Sequence, residues 1–244
     1  MTSSQEVTER SERAIRALCA KGIKVVLCTG RPPRFTKHIA NALGLSDLVI
    51  MHHGAIVYNF VQAEMLFHNE LAKVTALEVI RTMRERHEGV MVGLETSYGW
   101  FYDRTMFELR RPDPAPTGVG AVEDFVRENV TKLLFRHAEM DAEVFSHSLE
   151  GLGVHTTWSS PELLEVIAKN VNKREALKQV AAARGLDAAE VAVFGDQNND
   201  TEMLAWAGLG VAMGNASDEA KEVADRVTDT NDEDGVAKVL ETWL

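Results

Sequence analysis

The stretch Val193-Phe-Gly-Asp-Gln-Asn-Asn-Asp200 decides how this chain is read. Apolar residues from Val191 to Phe194 read as a buried strand that runs straight into Gly195-Asp196. Asn198, Asn199 and Asp200 follow at once, and Met203, Leu204 and Trp206 then recur at helical spacing. The carboxylates of Asp196 and Asp200 and the carboxamides of Asn198 and Asn199 thus stand at the C-terminal end of a strand, where a parallel sheet places its ligand crevice. Asp196 and Asp200, four apart across a strand-to-helix turn, are spaced to share a hard cation such as Mg²⁺. Asn and Asp also serve as turn and N-cap residues, so each residue alone keeps both readings open.

Upstream, Thr8 precedes a helical pattern (Ala14, Ile15, Leu18, Cys19) that stops at Lys21-Gly22. Ile23 to Cys28 is a nearly continuous apolar run, as expected of a strand covered on both faces, and it ends in Thr29-Gly30-Arg31-Pro32-Pro33. A helix carrying Phe35, Ile39, Ala40 and Leu43 leads to a second buried strand, Leu48–Met51. Strand, helix and strand with short connections read as a parallel βαβ unit. His52-His53-Gly54 then opens a hairpin of Ala55–Tyr58 and Met65–Phe67.

After a long helix, Lys73–Arg86, the pattern changes. Val90–Leu94, Gly99–Tyr102, Lys132–Arg136 and Val154–Trp158 read as strands, many alternating apolar with polar, which suits an antiparallel sheet with one wet face. Helical patterns near Val122–Val126 and Ala142–Phe145 and a Pro-rich loop from Arg110 to Pro116 lie between them. Residues 72–168 read as an α+β domain inserted into an α/β domain made of residues 1–71 and 169–244. From Lys173 the α/β pattern resumes: a helix to Gly185, the opening strand, a helix, a strand at Leu209–Met213, a helix at Ser217–Ala224 and a last helix ending at Leu244.

Composition narrows the function. The 244 residues suit one large or two small domains, and the 45% apolar and 26% charged content is that of an ordinary globular chain. A net charge of −11 argues against nucleic-acid and membrane partners, so a small anionic substrate would need a locally placed Lys, Arg or metal. Two cysteines, Cys19 and Cys28, are too few for a disulfide framework and point to a reducing cytoplasm. No apolar run approaches the roughly 20 residues of a membrane span, and the polar, acidic start is no secretory signal.

Three groups can then be set side by side. Thr29 offers a hydroxyl, and Gly30-Arg31 at a helix entrance offers backbone N–H groups to a phosphate. Lys173, in Asn170-Val-Asn-Lys173 before a helix, offers an ammonium. Asp196, Asn199 and Asp200 offer the acidic turn. In this order they resemble the haloacid-dehalogenase superfamily, in particular its Cof-like sugar-phosphatase branch with an α/β cap. "VVLCTGRP" resembles that family's second motif, "VNKREALKQV" its third, "VFGDQNNDTEMLAWAG" its fourth, and "GVAMGNASDEAKEVADRVTDTNDEDGVAKVL" its usual C-terminal run. The resemblance implies a Rossmann-like core with a parallel sheet, an inserted cap, and Mg²⁺-dependent hydrolysis of small phosphorylated metabolites, sugar phosphates among them. It assigns Thr29 and Lys173 to phosphate, Asp196 to the metal, and Asn199 and Asp200 to the supporting shell, with Asp200 left beside Asp196 on the metal.

Two departures stand out. His53 occupies the position where the branch has Asn, and is counted with Thr29, Gly30, Arg31, Lys173 and Asn199 as a phosphate- or substrate-side residue. The family's first motif, an apolar strand ending in Asp-x-Asp with the nucleophile, has no counterpart in residues 1–30. That strand is central in the family's sheet, so its absence is expected to leave two apolar edges facing a gap and the chain inactive or strongly impaired. A start placed too late, a shortened chain and a pseudoenzyme all fit this. Two other functions compete: a non-catalytic phosphometabolite-binding protein, and a cysteine phosphatase using Cys28 and Arg34, whose loop Pro32 and Pro33 would deprive of N–H donors. Arg110-Arg111, Trp100, Tyr102 and Trp158 are available to contact substrate but carry no assignment.

Overall fold

The structure, a computed structural model, describes residues 1–45, 48–110 and 114–244. Arg111 and the side chain of Arg110, named above as available contacts, lie outside the described residues, as does part of the Pro-rich loop.

The chain forms two units, residues 1–67 with 172–244, and residues 68–171. The first opens with α1 (Glu9–Ala20), β1 (Leu27–Cys28), α2 (Pro33–Ala42), β2 (Leu48–Met51), β3 (Ile56–Asn59) and β4 (Glu64–His68). The second holds α3 (Lys73–Arg86), β5 (Met91–Thr96), β6 (Gly99–Tyr102), α4 (Arg104–Arg110), β7 (Gly118–Val119), β8 (Lys132–Arg136), α5 (Ala142–Ser146), β9 (Val154–Ser160) and β10 (Leu163–Ala168). The first resumes with α6 (Lys173–Ala183), β11 (Ala192–Gly195), α7 (Thr201–Trp206), β12 (Leu209–Ala212), α8 (Asp218–Val223), β13 (Arg226–Val227) and α9 (Gly235–Glu241). The second unit starts before residue 72 because Leu71 and Val130 exchange backbone hydrogen bonds of 2.8 and 2.9 Å, and His68 Nε2 lies 2.8 Å from Thr131 Oγ1.

The second unit is one continuous sheet in the order β7-β6-β5-β8-β10-β9. It is antiparallel except where β6 pairs parallel with β7. The expected wet face is absent from its central strands: β5 is buried from Met91 to Glu95 and β8 from Lys132 to Phe135. The reason is local. α4, an element the alternation pattern left out, brings Met106 and Phe107 against Met91, Trp100, Tyr102 and Leu134 on that face. On the same strands, Lys132 Nζ and Glu165 Oε1 pair at 2.5 Å with both side chains 4% exposed, the arrangement that lets charges stay buried.

In the first unit the strands form two separate sheets. β1-β2-β3-β4 is one, with β1 and β2 parallel and β2 and β3 antiparallel; β11-β12-β13 is the other, parallel throughout. Ile15, Leu18, Ile39 and Leu240 from α1, α2 and α9 form one apolar layer. Leu177, Val180, Met203 and Leu204 from α6 and α7 form another with Val193 and Ile50. Thr8 starts α1 as an N-cap, its hydroxyl accepting from Ser11 N at 3.1 Å.

Strand neighbours decide burial here. β2, flanked by β1 and β3, is buried at all four residues. Both residues of β1 stay half-exposed, and β11 leaves Ala192 exposed and Phe194 half-exposed. Of the run Ile23–Cys28, expected as a strand, only Leu27–Cys28 pairs, with Val49 and Ile50. Among the described residues no strand is paired to the outer edge of β1 or β11. Between those edges runs an apolar groove of about 570 Å³.

Candidate functional site

The site is assembled where β1, β11 and α6 converge. Asn172 is extended and caps α6, its side chain accepting from Glu175 N at 2.7 Å. The cap sets Lys173 as the first helical residue and buries it to 7% exposure. Its ammonium donates to Asp200 Oδ1 at 2.6 Å and to Asn199 Oδ1 at 2.7 Å. Burial alone would push this ammonium toward neutrality, but the charge of Asp200, with smaller help from Cys28 and Asp196, outweighs it and holds Lys173 above its ordinary value.

The acidic turn is closed by its own backbone. Asp200 Oδ2 accepts from the N–H groups of Asp196 (3.0 Å) and Gln197 (3.2 Å). This closure requires Gly195: a Cβ there would stand 2.6 Å from Asp200 Cβ. With both oxygens of Asp200 engaged by protein donors, its main task in this arrangement is to orient the turn. Asp196 is half-buried, and burial first, then the nearby Asp200 charge, raises its carboxyl above the usual range. A carboxylate destabilised in this way is stabilised by an added cation.

Thr29 ends β1. Its N–H donates to Ile50 O at 2.9 Å, and its Oγ1 accepts from Arg31 N at 3.1 Å. His52 and His53 both adopt left-handed backbone, with φ of 49° and 57°. The two turns are laced together, since His53 N donates to Thr29 O at 3.1 Å and His52 N to Arg31 O at 3.2 Å. The imidazole of His53 fills the space above Gly30, where a Cβ would be 2.2 Å from its Cε1. Cys28, the neighbour of Thr29, has its thiol pushed up to about 12, by burial first and by Asp200, with Lys173 opposing. Such a thiol keeps its proton at neutral pH, and Arg34 lies over the ring of Phe35, 5.0 Å from its centroid; neither observation supports thiolate chemistry.

The structure therefore brings Lys173, Asn199, Asp200 and Asp196 together at one turn, and joins Thr29, Gly30, Arg31 and His53 at the other. The field of Lys173 reaches both Cys28 and Asp196. The match of these residues to a known family is extensive: the model of haloacid dehalogenase-like hydrolases covers residues 1–240. The chain belongs to this family.

Its relatives are phosphatases. It is 31% identical over 250 residues, covering 100% of this chain and 91% of the relative, to the 5-amino-6-(5-phospho-D-ribitylamino)uracil phosphatase YcsE of Bacillus subtilis. It is 30% identical, over 94% of this chain and 86% of the relative, to a phosphoglycolate phosphatase of Archaeoglobus fulgidus. Among solved structures, the superfamily phosphatase BT1666 of Bacteroides thetaiotaomicron aligns with a TM-score of 0.86 at 28% identity, over 100% of this chain and 90% of that one. The Rossmann-like hydrolase fold is shared with these proteins.

Sequence reasoning missed Ser217. Its N–H donates to Asp196 O at 2.9 Å and its hydroxyl to Asn198 Oδ1 at 2.9 Å. The Oγ of Ser217 also accepts from Ala220 N at 3.2 Å to cap α8. A serine before a helical pattern reads as a cap, and nothing in the sequence signals that it also braces the acidic turn. Among the described residues no three His, Cys, Asp or Glu side chains cluster as a metal site, and no helix is long and apolar enough to cross a membrane.

Proposed function

We propose that this chain carries the phosphate- and metal-binding groups of a phosphomonoester hydrolase acting on small phosphorylated metabolites, sugar phosphates among them, with Mg²⁺ as cofactor. The observation that carries the reading is the buried ammonium of Lys173, held charged by Asp200 beside the half-buried carboxylate of Asp196. Asp196 fits a hard cation by its donor type and by its raised pKa; Asp200, also counted as a ligand from its spacing, acts mainly by orienting Asp196. When bound, Mg²⁺ would supply charge neutralisation to a phosphoryl group. Thr29 Oγ1 would donate to a non-bridging oxygen at the Gly30-Arg31 turn, its own lone pair taken by the Arg31 N–H, while Lys173 offsets the phosphoryl charge through the transition state. His53 would set the shape of the Gly30 turn, and Asn199 would keep the ammonium aimed. The inserted unit would select the substrate as a cap.

No apolar strand ending in Asp-x-Asp occurs in residues 1–30. The same observation favours a second reading, a phosphometabolite-binding protein without catalysis. A panel of phosphate esters assayed with and without Mg²⁺ separates them. The chain itself should turn over none, and a version extended upstream by an apolar strand ending in Asp-x-Asp should hydrolyse some, in Mg²⁺ only. No turnover by the folded, extended version on any ester would refute the hydrolase.

A further inference from the structure

The six-stranded sheet of the second unit ends differently at its two sides. On one side stands β7, only two residues long, and a strand that short offers little to pair with. The other side ends in β9, seven residues long. Its stretch Val154-His-Thr-Thr-Trp158 carries no Pro, Lys, Arg, Asp or Glu, the residues that blunt an edge. β10 pairs with this stretch one to one, and the register slips beyond Trp158, so Val154–Trp158 is the regular part of the edge. Beside it lies a cavity of about 460 Å³. Val154, Thr156 and Trp158, alternate residues and so on one face, line it together with Leu149, Gly151 and Gly153. A Cβ on either glycine would meet nothing within 4 Å, so that wall has room.

We propose that a second copy of this chain pairs antiparallel with β9 about a two-fold axis at Thr156, joining the two sheets edge to edge. This register uses only the regular residues. Thr156 stands opposite the second copy's Thr156, Val154 opposite Trp158, and His155 opposite Thr157. Two of these pairs, aromatic with β-branched and Thr with Thr, are favoured across neighbouring strands. Each indole lies across from the other copy's Val154, on the side of the roomy wall at Gly151 and Gly153. One contact thereby fills two cavities, as a self-complementary interface does. Charge agrees with the antiparallel sense. Lys169 is exposed and follows Ala168, the partner of Val154 at one end of β9; Glu162 is exposed and precedes Leu163, the partner of Ser160 at the other. Antiparallel pairing brings Lys169 of each copy to the Glu162 end of the other, whereas parallel pairing would set like charges together. Nothing in this contact draws on the hydrolase reading.

The test is analytical ultracentrifugation of the 244-residue chain, at about 0.15 M salt to screen the repulsion between two chains of net charge −11. A dimer is expected at micromolar concentration. Thr156→Lys sets two ammonium groups opposite each other and should weaken the dimer about tenfold or more, with circular dichroism unchanged because Thr156 is half-buried at an edge. Two further variants read the register. Under oxidising conditions Thr156→Cys should cross-link into dimers, since directly opposed residues have Cα atoms about 4.5–5.5 Å apart, within disulfide reach. Val154→Cys, which faces Trp158 and not itself, should stay at the background set by the natural chain with its free Cys19 and Cys28. A chain that remains monomeric at millimolar concentration would overturn the proposal and leave the edge to another partner. So would a dimer unmoved by Thr156→Lys, or cross-linking through position 154 in preference to 156.

Discussion

The two units of this molecule are built on similar apolar strands, and their sheets end differently. In residues 68–171, six strands hydrogen-bond side by side and even a charged pair, Lys132 with Glu165, is buried among them. In residues 1–67 with 172–244, a run as apolar as Val25–Cys28 stays half-exposed, because nothing pairs with the outer edge of β1 or β11 among the described residues. Hydrophobicity of a segment is thus not what buries it; a hydrogen-bonded neighbour on each side is. The break falls beside the site, where the C-terminal ends of β1 and β11 carry Thr29 and Asp196.

The contrast can be broken by truncation. Phe135 on β8 is fully buried in the closed sheet, and Phe135→Ala should cost about 3–5 kcal/mol. The matching change at the open edge, Leu27→Ala, should cost only about 1 kcal/mol, since a half-exposed side chain leaves little cavity behind. Urea unfolding reads each unit separately, through Trp100 and Trp158 in one and Trp206 and Trp243 in the other. Equal losses would mean that the groove is closed in solution.

Between these two in size lies Lys173→Met, which strands the buried Asp200 carboxylate. A loss of about 3 kcal/mol is expected in the first unit's transition, with the second unit's unmoved. A loss below about 1 kcal/mol would show that Asp200 finds another partner and that the ammonium is not held as described.

How much of this was legible follows from particular residues. The strand-turn-helix at Val193–Asp200 and the capped start of α6 could be read because glycine, caps and apolar spacing agree there. Ile23–Cys28 reads as a covered strand because composition reports what a segment would bury, not whether a neighbour exists. β10 was hidden because its Glu165 sits in a buried pair with Lys132, and a polar residue at such a position is scored as a break. Asp200 is spaced to share a cation with Asp196, and Ser217 opens a helical pattern; their contacts with Lys173 and with the Asp196 backbone join residues distant in sequence.

The smallest expected effect concerns pH. The carboxyl of Asp196 is raised in the folded state, so its contribution to stability is complete below the unfolded carboxylate value and is lost as pH rises through the folded one. Asp196→Asn should therefore raise the Tm slightly at neutral pH and flatten its dependence above the ordinary carboxylate range. Mg²⁺ should raise the Tm of the native chain and not that of the variant. An identical Mg²⁺ response in both would remove Asp196 from the metal.

The central claim is that Thr29, Lys173 and Asp196 form one site for phosphate and Mg²⁺, and calorimetric titration of the 244-residue chain with inorganic phosphate tests it most directly. Binding is predicted only with Mg²⁺ present, lost in Asp196→Asn and weakened at least tenfold in Thr29→Val. Phosphate binding that is indifferent to Mg²⁺ and unchanged in both variants would contradict it.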